Sequence, residues 1–278
     1  MTIVRKSIKL GIAVLIASST AAAAADLYGG ESMKDSYAAP APSASWYARI
    51  DGGYGWHHNP EMTETLYDSY YGGGTYDLYD TELEGAWTLG GGIGRYFTHN
   101  WRGDVTYDHR FEADASGSGQ PSPCCTNEHE FGIESDVVLF NLYYDFRRGE
   151  RFSPYIGAGI GIAHNRTTEG TYTEDCGCGT RYGTIEEDGQ TNFAVAAMAG
   201  FTWKLRGGQE VMGGIKDVPV VVDNGRGLYL DVGYRYLFLG DAATGPVQLN
   251  DYTDVAEDPI VHDIQAHEFR VGLRYDLR

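Results

Sequence analysis

From Trp46 to the end of the chain, polar and apolar residues alternate with a period of two. Stretches of about ten residues with this alternation are separated by turn-forming residues, and such a period marks β-strands. The last stretch, His267 to Arg278, shows it most clearly. Phe269, Val271, Leu273, Tyr275 and Leu277 share one face, and Glu268, Arg270, Gly272, Arg274 and Asp276 share the other. A half-buried strand of a soluble sandwich also alternates, but its polar face seldom carries so dense a set of ionised groups. Lipid outside and a closed polar interior account for both faces. A one-residue slip would then place Arg270 and Arg274 in hydrocarbon at roughly 2–4 kcal/mol each near the midplane, so the register is strongly fixed.

Seven further stretches precede this one. The first carries Trp46, Ala48, Ile50, Gly52, Tyr54 and Trp56 outward, with Arg49 and Asp51 opposite. The second and third carry Trp87, Leu89, Ile93 and Phe97, then Trp101, Val105, Tyr107 and Phe111. The fourth carries Val138 to Phe146 on alternate positions, and the fifth Ile156 to Ile162. The sixth runs from Phe193 to Lys204 and the seventh from Leu228 to Leu239. The pattern predicts an all-β fold, an eight-stranded antiparallel transmembrane β-barrel over 46–278, because an even number of strands closes without an edge and lipid tolerates none. Several apolar bookends are ten residues apart and therefore on one face, one tilted crossing from each other. They predict aromatic girdles at the two interfaces, formed by Trp46, Trp56, Trp87, Phe97, Trp101, Phe111, Trp203 and Phe238.

The opposite faces supply the lumen. They place Arg49, Arg102, Arg110, Lys204, Arg235, Arg270 and Arg274 inside, together with Asp51, Asp104, Asp108, Asp145, Asp231, Glu268 and Asp276. Seven bases against seven acids is the balance a cross-strand ion-pair plug requires, and eight strands leave an interior only wide enough for side chains. The alternative is a water-filled lumen whose charges are solvated, which is a small-solute porin.

The connections alternate in length. Thr98–Asn100 and Arg147–Ser153 are short and read as periplasmic turns. Asn59–Glu84, Glu112–Asp136, Asn165–Gln190 and Asp241–Asp263 are long and read as extracellular loops. Leu205–Arg226 breaks the rule; it is read as a long third turn, with a hairpin arm or partner site around Val218–Val222 as the other possibility.

The chain starts with Arg5, Lys6 and Lys9, an apolar stretch from Leu10 to Ala17, and Ala23-Ala24-Ala25. Residues 1–25 are read as a removed signal peptide rather than a buried helix, and the Pro-containing 26–45 as a flexible periplasmic lead. Losing those three bases and no acid moves the net charge from −18 to −21. So acidic a chain is a poor partner for nucleic acid. Mean hydropathy of −0.35 excludes a bundle of membrane helices.

The four long connections hold 25 Asp and Glu against Arg166 and Arg181. The plain reading is a hydrated surface; the sharper one is divalent-cation bridging to lipopolysaccharide phosphates, without any supporting ligand spacing. His57, His58, His129, His164 and His262 are read as solvated, and no metal or cofactor is expected. Cys124, Cys125, Cys176 and Cys178 lie two by two in the second and third long connections, in an oxidising compartment. Vicinal pairing is strained, so two bridges between the connections are expected, with a soft-metal site as the alternative.

WYARIDGGYGW in the first strand, YIGAGIGIA in the fifth, LDVGYRYLFLG in the seventh and the closing HEFRVGLRYDLR together resemble small outer-membrane barrels. The chain resembles the alphaproteobacterial opacity-protein-like surface antigens of the porin family and, more distantly, the OmpA transmembrane barrel. The final strand matches the polar-x-Gly-x-x-aromatic-x-apolar insertion signal (Arg270, Gly272, Tyr275, Leu277), apart from Arg278 at the end. The resemblance implies a place in the outer membrane of a Gram-negative bacterium, in lipid and lipopolysaccharide, inserted by the barrel machinery through the last strand. It implies a non-enzymatic surface protein acting through its loops. Barrel enzymes that modify lipid A are a remote alternative: no histidine is followed two residues later by serine, and the Asp108-His109 and His262-Asp263 neighbours lack a recognisable nucleophile.

Overall fold

A computed structural model of the chain describes residues 46–66, 74–148, 150–177, 179–212, 220–249 and 258–277. The expected signal peptide and lead fall outside them. Fourteen strands are present among the described residues: β1 (Trp46–His57), β2 (Glu61–Leu66), β3 (Gly74–Asp77), β4 (Tyr79–Leu83), β5 (Ala86–Tyr96), β6 (Trp101–Ser122), β7 (Cys125–Asp145), β8 (Phe152–Thr167), β9 (Gly170–Cys176), β10 (Gly179–Ile185), β11 (Gly189–Met212), β12 (Val220–Ala243), β13 (Val247–Leu249) and β14 (Ile260–Asp276).

Eight of them close a ring. Antiparallel pairing runs from β1 through β5, β6, β7, β8, β11, β12 and β14 and back to β1, where Ile50 meets Leu273 and Tyr54 meets Phe269. Every ring strand has a partner on both sides, so no backbone edge faces the membrane. The outward face is apolar all round: Trp87 is 66% exposed, Ile93 60% and Phe193 61%. Large side chains at that exposure, in a continuous belt, have lipid rather than water as their solvent. Seven of the eight expected girdle residues are exposed, and Phe238 is half-buried.

Inward, space is made by glycine where the plug crowds the wall. A Cβ on Gly90 would stand 2.0 Å from Asp108 Oδ1, and one on Gly272 2.2 Å from Asp51 Oδ1. Both carboxylates therefore depend on a bare backbone opposite them.

The described residues of the long connections are largely strand rather than loop. β6 and β7 stay paired from Arg102↔Tyr143 out to Ser122↔Cys125, and β2–β4, β9, β10 and β13 lengthen the wall on the same side. We call this part the head. The period of two simply continues there with its faces exchanged: on β7, Asn127, His129, Phe131 and Ile133 are buried while Thr126, Glu128 and Glu130 are exposed. Outward aromatics end at this point, so the alternation beyond it is faint in the sequence. At the other end, Leu205–Arg226 is likewise not an open turn. β11 and β12 remain paired through Met212↔Val220, with register shifts at Lys204/Arg206 and Gly207/Gln209, so the alternative of a hairpin arm is the observed one. Bulges absorb the irregular spacing, and the β-branched Val220–Val222 suit a strand. The tip, 213–219, lies outside the described residues.

Candidate functional site: a plugged lumen under a closed head

The fourteen charged residues assigned to the lumen all occupy inward positions. None of the six arginine side chains is more than 10% exposed. They form three tiers. Nearest the short turns, Arg102 Nε donates to Asp145 at 3.0 Å, Tyr96 donates to Asp276 at 3.0 Å, and Arg274 Nη1 lies 3.6 Å from Asp231. In the middle, Arg49 donates to both oxygens of Asp51 at 2.6 and 2.8 Å and reaches Asp104 at 3.2 Å. Above it, Asp108 is shared by Arg235 (2.7 Å) and Arg270 (2.6 Å). Glu268 is shared by Arg235 (2.5 Å) and Arg110. Lys204 sits half-buried on β11, in register with Tyr229. Planar guanidinium groups suit this because one fork serves two carboxylates.

Tyr143 has the inward parity of Asn141 and Asp145 already in the sequence pattern, whereas Tyr47, Tyr96 and Tyr155 were missed. Tyr47, Tyr96, Tyr143 and Tyr155 are buried among the ion pairs. The Arg102 guanidinium lies 4.0 Å from the Tyr143 ring centre, and Tyr47 donates to Asp104 at 3.0 Å. The signal was available, since these residues share the parity of the charged positions. A cavity of about 20 Å³, room for one water, lies among Arg49, Asp51, Asn141, Asp231, Arg235 and Arg270.

Above the third tier the filling changes. Val137, Leu139, Ala163, Ala194, Leu237 and Ala266, each 0% exposed, close the interior with apolar side chains. At the junction His57 Nδ1 donates to the Glu84 carbonyl at 2.6 Å, and Arg110 Nη2 donates to Nε2 at 2.9 Å. A ring that accepts at Nε2 is neutral, with its proton on Nδ1.

Within the head, Glu64 and His129 are fully buried, 3.1 Å apart. Asn127 Nδ2 donates to Glu64 at 3.0 Å, and the Tyr76 hydroxyl donates to the same carboxylate. This polar knot joins β2, β3 and β7, with the Tyr172 ring of β9 packed edge-on against His129. His129 is therefore not solvated, contrary to its sequence reading; it points inward on a strand whose outer face carries the acids. The chain neighbours Asp108-His109 and His262-Asp263 do not pair either, because adjacent strand residues face opposite ways. His109 instead meets Asp136 of β7 at 2.9 Å, and His262 lies 3.7 Å from Asp241.

Cys125 and Cys176 face each other across β7 and β9 and form a disulfide. One bridge between the second and third arms is thus present, which removes two of the four thiols from any metal site. Cys124 is an exposed free thiol, its sulfur 4.0 Å from that of Cys125. Cys178 lies outside the described residues, as would the second bridge.

No family model matches the chain. An uncharacterized protein of Brucella abortus is 29% identical over 300 aligned positions, covering 98% of each chain. Outer membrane protein PagN of Salmonella typhimurium is 26% identical over 178 positions, 62% of each. Among solved structures, the outer membrane protein OprG from Pseudomonas aeruginosa aligns with a TM-score of 0.47 at 12% identity, covering 84% of this chain and 97% of that one.

Proposed function

We propose, for a chain that is an eight-stranded outer-membrane β-barrel, that it serves as a non-enzymatic surface protein: a closed membrane anchor that presents a stiff acidic head to the outside and contributes to envelope integrity. In this reading residues 1–25 direct export, 26–45 form a periplasmic lead, and β14 is handed to the insertion machinery. The short turns and the β11–β12 arm then face the periplasm. The observation that supports it most is the double closure of the interior, with shared ion pairs below and a layer of fully buried aliphatic side chains above. A transport protein needs a hydrated path, whereas here the charged groups are engaged with one another and the apolar layer admits no ion cheaply.

The outer face of the head carries Glu128, Glu130 and Asp175, each of them exposed, on strands joined by the disulfide. Partners in this reading meet a surface of negative charge on a rigid sheet, which favours basic or cation-bridged ligands such as the phosphates of lipopolysaccharide. Planar-bilayer recording of the purified barrel tests the closure. Silence, or rare brief openings, is the expected record; a steady large conductance overturns it in favour of a small-solute porin. Protease added to intact cells tests the orientation: the head is expected to be reached and the short turns spared.

A further inference from the structure

Cations at the barrel's rims differ in their partners, and on the short-turn side Arg147 meets Glu150 at 3.8 Å. On the head side Arg166 is neutralised by Asp136 at 3.0 Å and Glu134 at 3.4 Å. On the short-turn side, Arg95 and Arg151 have no carboxylate partner among the described residues. Each is instead stacked on a girdle tryptophan: Arg95 lies 5.6 Å from the ring centre of Trp46, and Arg151 lies 5.4 Å from that of Trp203.

Both pairs point out of the barrel. Arg95 is exposed between Ile93 and Phe97 on the lipid face of β5, and it pairs in register with Trp46 of β1. Arg151 precedes Phe152 of β8, which packs edge-on against Trp203 of β11. In the ring order two strands separate the pairs on either side, so they lie on opposite flanks. An indole marks the depth of the headgroups. A guanidinium stacked on it keeps its N–H edge free, and that edge matches two oxygens of a phosphate.

We propose that Arg95 with Trp46, and Arg151 with Trp203, are two headgroup sites for anionic glycerophospholipids of the leaflet beside the short turns. The guanidinium takes the phosphate. The exposed apolar residues at each site, Ile93 and Phe97 at one and Phe152 and Leu205 at the other, lie beside the acyl chains. Zwitterionic lipids bind less well because their own ammonium or choline competes for the phosphate. Which leaflet of the cell this is rests on the orientation given above; the binding itself does not.

The full chain reconstituted in nanodiscs holding equal amounts of phosphatidylglycerol and phosphatidylcholine provides the test, with retained lipids counted by native mass spectrometry. The expected result is enrichment of phosphatidylglycerol by about fivefold for each arginine, equivalent to about 1 kcal/mol. Arg95→Gln and Arg151→Gln singly halve the number of retained anionic lipids, and together they bring the ratio near parity. Arg166→Gln on the opposite rim leaves it unchanged, and the two lysine variants keep part of it. Equal retention of the two lipids by the wild type overturns the proposal, as does enrichment that survives the double variant or that inorganic phosphate displaces. The single variants keep the test open if the double variant fails to insert. Because a nanodisc reports binding at either rim, a wrong orientation in cells would show in the protease experiment and not here.

Discussion

The barrel wall and the head wall are one sheet with one period of two, yet their interiors are opposites. Inside the membrane belt the buried residues are Arg102, Asp104, Asp108, Arg110, Arg235 and Glu268; inside the head they are Met62, Leu78, Phe131, Ile133, Val247 and Val261. The change occurs within single strands. On β12 the inward positions read Asp231, Gly233, Arg235, Leu237, Leu239, and on β14 they read Arg270, Glu268, Ala266, Ile264. The outside solvent decides it. Where lipid covers the outer face, apolar side chains go out and polar ones must satisfy each other within; where water covers it, the ordinary burial rule returns. The point of inversion, just beyond Trp56 and Phe111, is therefore a reading of where the bilayer ends.

The largest way to break the comparison is in the charged half. Arg235→Ala strands Asp108 and Glu268, leaving each with one fewer counter-ion in a space without bulk water. The expected loss is about 3–5 kcal/mol, followed by urea unfolding of the barrel in lipid. Conductance should nevertheless stay low, because Leu139, Leu237 and Ala266 above the gap are untouched. A leaky but stable variant would show that the ion pairs alone make the seal.

In the head the corresponding cut is covalent. Cys125→Ser releases a link between residues 51 apart in sequence. Chain entropy sets an upper limit of about 4 kcal/mol, and the pairing of β7 with β9 retains part of it, so a loss of about 2–3 kcal/mol is expected. Hydrogen exchange should accelerate in β9 and β10 and not in the ring strands. If the whole barrel loosens instead, head and belt fold as one unit and the contrast is one of composition only. Peptide mapping without reductant also shows whether Cys124 and Cys178 pair.

The polar knot gives a smaller effect. His129→Ala removes a side-chain donor to a fully buried Glu64, which should cost about 1–3 kcal/mol. Adding Glu64→Gln should recover part of it by removing the buried charge, and limited proteolysis of the β2–β3 arm is the local readout. A loss no larger than that of an exposed histidine, such as His164→Ala, would mean that the knot fills space and holds nothing.

The belt and its filling were legible in the sequence because lipid enforces alternation at every position: a residue such as Arg274 or Ile93 has one tolerable side. The head was not, for the same physical reason in reverse. There the outward positions need only be polar, and the inward ones are often small or mixed, so Ala113, Ala115, Gly117 and Gly119 on β6 read as a loop beside Asp114 and Ser118. Glu64 and His129 were hidden further, since each looks like a surface residue until four strands bring them together across 65 positions. The tyrosines fell between the two cases: Tyr143 was legible beside Asn141 and Asp145, but Tyr47 and Tyr155 also hold inward parity, and an aromatic on a barrel strand suggests the girdle first.

The smallest effect tests the head's water-facing side. Asp258 lies partly buried near Asp188, and burial first, then that neighbouring carboxylate, raise its carboxyl above the ordinary range. A folded-state pKa above the unfolded one means the native head binds a proton more readily than the unfolded chain. Its contribution to stability is then fully present below the unfolded pKa and is lost as pH rises through the raised value. At neutral pH the ionised group is a net cost, small because most of it still meets solvent. Asp258→Asn removes both the charge and its titration. We expect it to stabilise the head by at most about 0.5 kcal/mol at neutral pH, an amount reduced by screening, and to make no difference in acid. The measurement is the urea midpoint of head unfolding across that range, with exchange of β12 and β14 residues near Ala243 and Ile260 as the local probe. A gain that persists in acid would assign the effect to packing against Pro259 rather than to charge. A loss at neutral pH would mean that the Asp258 carboxylate accepts a bond the asparagine cannot replace, and that the head, like the lumen, keeps its acids because they are used.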